Sequence, residues 1–469
     1  MITPEQEISK PDEHLVEPHP KLAAVEDIKI QRRKSVSTRK KTKQTSKRSL
    51  ERLLKSPLKR KIKVLKHICG DSGQCLTFGI ETDAINDVFK GFTNFRYATK
   101  YVGRVGKPSE NGFITEIEYK RDEYYSHAIL KSALRRHSDN LFYEYIVGKI
   151  FINELIRLLP CFVETYGIYV SSDNQSHKDL MHAQTIDQIK KTLHPISEID
   201  DKIDFSCLNS NKLSILIQHI KKPVTFQDLL SERIRQEYFY TVDMIQLLYQ
   251  IYGPLSKISR GFTHYDLHTM NVLLYSLEPG TYIEMKYHQP DGSIISFNTQ
   301  YIVKIIDYGK SYFAKSATDS SKQVYDAVCA SRKCKPDCGL MLGYQWFNSS
   351  LSERNHYISS SLPNISHDLR VLQIIKDYFI IKYDDPKVNN LIDSVVYAGE
   401  YGTPPRESVP DSNKIYNVMD AERELKHYMQ DVTVFNQRNN QFIADKRSFG
   451  VLHIYLDEGA IKPMDFYPA

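Results

Sequence analysis

No run in this chain approaches the roughly 18 apolar residues that cross a bilayer, so no membrane-spanning helix is expected. A signal-peptide pattern is also missing from the N-terminus, and the chain reads as soluble and intracellular. Its seven cysteines are odd in number and form no C-x2-C pair, which argues against a fully paired disulfide framework. Cys329, Cys334 and Cys338 do cluster as C-x4-C-x3-C, which supplies three zinc ligands but no obvious fourth. Free thiols in a loop are the favoured reading. Internal repeats are absent, which removes solenoid architectures. Residues 1–66 are poor in aromatics and rich in Lys, Arg, Ser, Thr and Pro, so they bury too little apolar surface to offset ordering and are expected to be a disordered arm.

Acids are nearly missing from part of that arm. From Lys29 to Lys66, 17 Lys/Arg face the single acid Glu51, whereas residues 1–28 and the remainder of the chain are each mildly acidic. The overall net charge of +6 therefore describes a basic arm on an acidic body. Clusters such as Arg32-Arg33-Lys34 and Arg39-Lys40-Lys41 suit nucleic acid or other polyanions, nuclear import or an anionic membrane surface. A solvated flexible tail explains them equally well. Beyond the arm, 41% hydrophobic residues with 31 Tyr and 20 Phe are enough for a sizeable core. The length allows one large catalytic domain or two ordinary ones.

Alternating patterns predict strands over Tyr97–Val105, Gly112–Tyr119 and Tyr124–Leu134, the first two joined by a Lys107-Pro108-Ser109-Glu110-Asn111 turn. Helical periodicity follows over Ser138–Leu159, with Ser138 or Asp139 as N-cap, and then a strand over Cys161–Val170. Ser171–Asn211 reads as a polar insertion, and Leu213–Ile220 as a compact strand ended by Lys222-Pro223. A helix opens near Thr225–Leu230, and a longer one runs from about Glu237 to Ser256. Strands at Asn271–Tyr275 and Tyr301–Ile306 flank a polar excursion, and helix and loop dominate beyond Tyr312. The fold class is α+β, strands first and helices after, in two unequal lobes with any cleft between them.

Phosphoryl transfer needs few groups but strict placement: a carboxylate at the acceptor hydroxyl, hard oxygen ligands for Mg2+, and a cation on the phosphates. His264-Tyr265-Asp266-Leu267-His268-Thr269-Met270-Asn271 supplies a base and, five residues on, a metal ligand at the mouth of a strand. Val303-Lys304-Ile305-Ile306-Asp307-Tyr308-Gly309 ends a buried strand in a carboxylate, with Gly309 free to turn the backbone away.

At these residues the chain resembles the protein-kinase superfamily, with its H-R-D-L-x-x-x-N loop and D-F-G strand end. The resemblance implies a bilobal protein-kinase-like fold with a small strand-rich N-lobe and a larger helical C-lobe. The kinase-like domain would span 90–385 (N-lobe 90–220, C-lobe 221–385), with a C-terminal extension, 386–469, packed on the C-lobe. It further implies Asp266 as catalytic base, Asn271 as a Mg2+ ligand and Asp307 as the principal one. Ala128-Ile129-Leu130-Lys131 resembles the V-A-I-K strand, so Lys131 would contact the ATP phosphates. Its partner would be Glu144 or Glu154, with Glu144 preferred; an ordinary exposed Lys and Glu is the alternative. By order alone, Gly106 and Gly112 stand where a phosphate loop belongs, and Gln218, His219 and Ile220 where a hinge meets adenine. His264 supports the loop structurally, and Asp368 occupies the place of a helix Asp that braces its backbone, unless it is an N-cap.

Four features depart from the family pattern. Tyr265 replaces the loop Arg, His268 stands where Ser/Thr kinases present Lys to the γ-phosphate, Tyr308 replaces Phe, and no A-P-E follows. The D-L-H-x-x-N form is similar to aminoglycoside/choline-type kinases, and the whole arrangement to divergent kinase-like proteins of large DNA viruses. That likeness spans roughly residues 97–380 and would place the protein in host cytoplasm, nucleus or virion. The expected function is a Ser/Thr protein kinase using ATP and Mg2+ on a protein substrate. A small-molecule kinase and a non-catalytic pseudokinase scaffold are the alternatives.

Overall fold

Period-two patterning shapes the first lobe. Three antiparallel strands, β1 (Ala98–Arg104), β2 (Gly112–Arg121) and β3 (Tyr124–Ala133), pair in sequence order. In β2 the buried residues Phe113, Thr115, Ile117 and Tyr119 alternate with half-buried ones, so one face is core and the other looks toward the second lobe. With β4 (Thr165–Ser171), β5 (Leu193–Pro195) and β6 (Leu213–Gln218) they form a six-stranded sheet in the order β1-β2-β3-β6-β4-β5. These elements come from a computed structural model that describes residues 80–106, 112–134, 140–156, 158–196, 210–220, 223–316, 319–328, 344–347, 355–358, 360–379, 385–399, 406–431, 433–457 and 465–468. The arm at 1–66, the 107–111 turn, the Ser138/Asp139 cap and the Cys329/Cys334/Cys338 cluster lie outside the described residues.

Helices cover both sheet faces. Helix α1 (Ile80–Phe89) contributes Ile85, Val88 and Phe89 to a core that includes Phe113, Ile117 and Tyr119. On the opposite face, α2 begins at Asn140–Ile146, widens into a π-helical stretch at Val147–Ile152 and ends in Asn153–Leu155. The polar stretch after β4 is more ordered than its composition suggests, because it holds α3 (Asn174–His182) and α4 (Ile186–Thr192). Both carry local start signals. Asp173 accepts the Ser176 amide at 2.7 Å, and Thr185 with Gln188 forms a reciprocal capping box. The strand expected over Cys161–Val170 begins only at Thr165. The Cys161 carbonyl is taken by the Ile305 amide, and Val163 by the Tyr308 hydroxyl, so this segment bonds across to the second lobe instead.

The second lobe is built on α5 (Phe226–Arg233), capped by Thr225, and α6 (Met244–Ile258), which follows a π turn at Phe239–Asp243. Short strands β7 (Val224–Thr225), β8 (Phe262–Thr263) and β9 (Val272–Ser276) frame the segment that carries His264 and Asp266. The excursion between Tyr275 and Tyr301 is a hairpin, β10 (Thr281–His288) and β11 (Ile294–Thr299). Its polar appearance came from one face only: Ile283, Met285, Tyr287, Ile295 and Phe297 all point into the main core. Strand β12 (Tyr301–Ile305) pairs with β9, and β13 (Tyr312–Ser316) with β8. Then come β14 (Asp319–Ser320), α7 (Ser321–Val328), the hairpin β15 (Tyr344–Phe347) and β16 (Asn355–Ile358), α8 (Arg370–Tyr378) and α9 (Pro386–Asp393). Helices α10 (Val418–Asp431) and α11 (Thr433–Ile443) lead to β17 (Arg447–Tyr455), which pairs in parallel with β10. Leu425, Leu452 and Ile454 thereby join the core that contains α6.

The result is a bilobal, kinase-like α+β fold, strand-rich in its N-terminal part and helix-rich after it, with a Lys–Glu ion pair where the lobes meet. Among the described residues no helix is long and apolar enough to cross a membrane.

One buried acid in this frame has a measurable consequence. Asp243 leads into α6 at 4% exposure, and its Oδ1 has no hydrogen-bond partner. Burial pushes its carboxyl up to about 7, against the pull of Arg233 and Lys446. The folded protein therefore holds a proton that the unfolded carboxyl releases near pH 4, and stability falls as pH rises from about 4 to about 7. Asp243→Asn is expected to raise stability by roughly 2–4 kcal/mol at about pH 8 and by clearly less at about pH 5. Urea denaturation at the two pH values measures this, and a pH-independent difference would show that burial is not the cause.

Candidate active site

The site begins at β3. Lys131 lies opposite Ile114 on β2 and Ile215 on β6, so it stands on the sheet face that looks toward the second lobe. Its Nζ meets Glu144 Oε2 of α2 at 2.6 Å and Asp307 Oδ1 at 3.0 Å. Burial alone would depress the lysine, but the two carboxylates outweigh it and hold the ammonium charged. Of the two glutamates that qualified by position, Glu144 makes this contact. Glu154 instead reaches Lys315 on β13 at 2.6 Å.

Asp307 stands two residues beyond the end of β12, with φ 70° and 40% side-chain exposure. Burial tends to raise its carboxyl, but Lys131 prevails and holds it below the usual range. The next residue anchors this bend. Tyr308 is 3% exposed, and its hydroxyl accepts the Val163 amide at 2.8 Å and faces the Ile305 carbonyl at the same distance. An aromatic body was legible in the sequence. The hydroxyl adds a tie from the bend to the crossing segment at Val163, which a phenylalanine would lack.

The loop between β8 and β9 is held from beneath. Asp368 accepts the His264 amide at 2.8 Å and the Tyr265 amide at 3.0 Å. It lies inside the 3-10 turn His367–Leu369 and aims away from its own helix, so it is a loop brace and not an N-cap. Burial pushes its carboxyl up to about 7, with the two amides opposing. Tyr265, at φ 62°, turns the backbone there, and its hydroxyl donates to the Leu362 carbonyl at 2.6 Å. The His264 Nδ1 accepts the Asp266 amide, which leaves the proton on Nε2 to donate to the Ile306 carbonyl at 3.0 Å. That single ring links the Asp266 loop to the strand end carrying Asp307. Asn271 donates Nδ2 to the Asp266 carbonyl at 2.9 Å, which orients its Oδ1 away from the loop.

Three cationic or imidazole side chains surround the Asp266 carboxylate. Lys310 Nζ is 3.0 Å from Oδ2, Arg370 Nη1 3.1 Å from Oδ1, and His268 Nε2 3.9 Å from Oδ1. Burial alone would raise this carboxyl, yet Lys310, His268 and Arg370 together hold it well below the usual carboxylate range. Burial pushes His268 itself down to about 4. Neither Lys310 nor Arg370 was singled out from the sequence. Lys310 directly follows Asp307-Tyr308-Gly309 and Arg370 lies two residues past Asp368, but nothing in their spacing marks a shared partner.

The residues expected to hold the nucleotide are less telling. Gly106 has φ 69° and open space around it. A Cβ on Gly112 would collide with the Ser132 carbonyl of β3, so close strand pairing already accounts for that glycine. Gln218 accepts the Glu164 amide through its side chain, and Ile220 is in the main core. His219 lies 3.4 Å from Glu116 on β2, which also pairs with His127 at 2.8 Å. Side chains at all three hinge positions are thus engaged within the protein.

Asp307 and the Asn271 amide oxygen are hard donors of the type Mg2+ prefers, and Mg2+ commonly takes few protein ligands beside phosphates and water. Among the described residues no group of three or more His, Cys, Asp or Glu is placed to hold a metal by itself. Two such donors fit an ion that takes its remaining ligands from a polyphosphate and water. No protein-family model matches this chain and no curated protein matches it, so its likeness to a kinase rests on the fold and on the Lys131–Glu144 pair at the meeting of the lobes.

Proposed function

We propose that this chain is an ATP- and Mg2+-dependent phosphotransferase, a Ser/Thr protein kinase acting on protein hydroxyls. The observation that carries this reading is Lys131, which bridges Glu144, 13 residues away, and Asp307, 176 residues away. A lysine shared by two carboxylates at a lobe interface is suited to exchange one of them for phosphate oxygens. Glu144, only 4% exposed, then keeps it aimed.

In this reading, Lys131, on the β1–β3 sheet, would hold the α- and β-phosphates of ATP. Asp307 and Asn271 would hold Mg2+, which supplies charge neutralisation and alignment of the phosphates when bound. Asp266 accepts a hydrogen bond from the acceptor hydroxyl. Because its carboxyl is held so acidic, it orients that hydroxyl first and takes the proton only as the new P–O bond forms. Asp368 and His264 keep the loop in register with Asp307 while this occurs. Met270, on the loop, and Leu362, tied to Tyr265, are large apolar residues at 44% and 53% exposure, a surface suited to a peptide.

His268 favours a second reading, a small-molecule kinase, because the D-L-H-x-x-N form resembles that type. Incubation with Mg2+/ATP and generic basic proteins distinguishes the two. Phosphate on serine or threonine, abolished by EDTA, is the expected result. Transfer confined to small hydroxyl compounds would favour the second reading, and absence of all transfer would remove both.

A further inference from the structure

Phosphoryl transfer requires positive charge at the group in flight as well as on the phosphates left behind. Lys131 already serves Glu144 on its own lobe and Asp307 across the cleft. Around Asp266, two of the three neighbours are unsuited to the task. Arg370 is 1% exposed and sealed beneath the loop. The His268 Nδ1 accepts the Met270 amide at 3.3 Å, so the ring has one proton and no charge.

Lys310 differs in origin and in access. It comes from the segment that follows Asp307, not from the loop, and its side chain retains 16% exposure. Its main chain is fixed on both sides. The Lys310 carbonyl accepts the Ser360 hydroxyl at 2.8 Å, and the neighbouring Ser311 bonds the Tyr308 carbonyl at 3.1 Å and the His264 carbonyl at 3.2 Å. The root of the side chain is thus held three residues from Asp307, while its ammonium touches Asp266. A four-carbon stem lets that ammonium swing over the space between the two carboxylates.

We propose that Lys310 is a catalytic residue, its ammonium resting on Asp266 in the free protein and contacting the γ-phosphoryl group of ATP during transfer. This rests on the phosphotransferase reading. In the step, the acceptor oxygen bonds to phosphorus, the bond from phosphorus to the β–γ bridging oxygen breaks and ADP leaves with that electron pair. The hydroxyl proton passes to Asp266, and Lys310 remains protonated throughout. The ammonium supplies, from the turn between β12 and β13, the charge that His268 does not.

Steady-state kinetics on the full chain with Mg2+/ATP and a basic-protein acceptor tests the assignment. Lys310→Met is expected to lower kcat by about 10^2-fold or more and to change KM for ATP by less than about threefold, because the lost contact forms in the transition state. Lys310→Arg should recover at least about tenfold of that loss. Thermal melting and binding of a fluorescent ATP analogue establish that each variant is folded, and Lys310→Gln replaces the Met variant if that one unfolds. A folded variant with kcat within about threefold of wild type, or a loss that Lys310→Arg does not reduce, overturns the role of Lys310. A wild-type chain with no turnover on any acceptor overturns the phosphotransferase reading as well, so the two failures are distinguishable.

Discussion

Asp307→Asn is expected to lower phosphotransfer by about 10^3-fold or more while shifting Tm by no more than about 2 °C. Both parts follow from where the residue sits. Its side chain is 40% exposed at the end of a strand, so removing its charge strands nothing in the core. Lys131 keeps Glu144 at 2.6 Å and is not left as an uncompensated buried cation. Asparagine also tolerates the positive φ of 70° at this position, so the bend survives. What disappears is the second charge opposite Lys131 and the hard anionic donor for Mg2+. Turnover across a Mg2+ titration, read beside differential scanning fluorimetry, checks the pair of expectations. Near-wild-type turnover in a stable variant would sink the metal role of Asp307.

Asp266→Ala should behave differently, losing stability as well as turnover. Arg370 is 1% exposed and donates to this carboxylate from 104 residues away. Without it, the buried guanidinium loses this carboxylate while the Lys310 ammonium stays close by, and removing one partner of a buried pair costs about 3–5 kcal/mol. That corresponds to a fall in Tm of about 3–5 °C for a chain of this size. Adding Arg370→Met to Asp266→Ala should restore most of the stability, since an apolar side chain of similar length needs no counter-charge. It should restore no turnover, because the acceptor hydroxyl still lacks its partner. A double-mutant cycle by urea denaturation gives the coupling. Additive effects of the two substitutions would show that Arg370 balances its charge elsewhere, and the pairing would then be no more than proximity.

The contrast between these variants separates two jobs within one acidic site. Asp307 faces the cleft, paired directly with Lys131 and influenced at longer range by Lys310. Asp266 faces both the cleft and the core, and its companions hold the carboxylate ionised and fixed. In the proposed role of base, so acidic a carboxylate has little appetite for a proton until the transition state. In a loose phosphoryl transfer, orientation of the acceptor matters more than early deprotonation.

Much of this frame was legible in the sequence because it rests on short-range rules. Alternation located β2 and β3 and thereby put Lys131 on one sheet face. Spacing within His264–Asn271, and a hydrophobic strand ending at Asp307-Tyr308-Gly309, marked the loop and the bend. Where such rules act on one face only, they misled: β10 and β11 passed for a polar excursion because their apolar residues alternate with Glu284, Lys286 and His288. The Cys161–Val163 stretch was apolar enough for a strand but gives its backbone groups to β12 and Tyr308.

The sequence by itself determined the elements around the two motifs and the candidates Lys131, Asp266, Asn271 and Asp307, since helix and strand periods and turn residues are local properties. It left Glu144 and Glu154 as rivals and Asp368 as either cap or brace. It did not connect Lys310 or Arg370 to Asp266. Those choices belong to the tertiary structure, because they depend on which side chains leave water together. Once the lobes pack, a charge beneath the loop must find a partner within hydrogen-bond reach or lose its ionisation. Partners separated by 104 or 176 residues are then decided by burial and geometry, which no local spacing encodes.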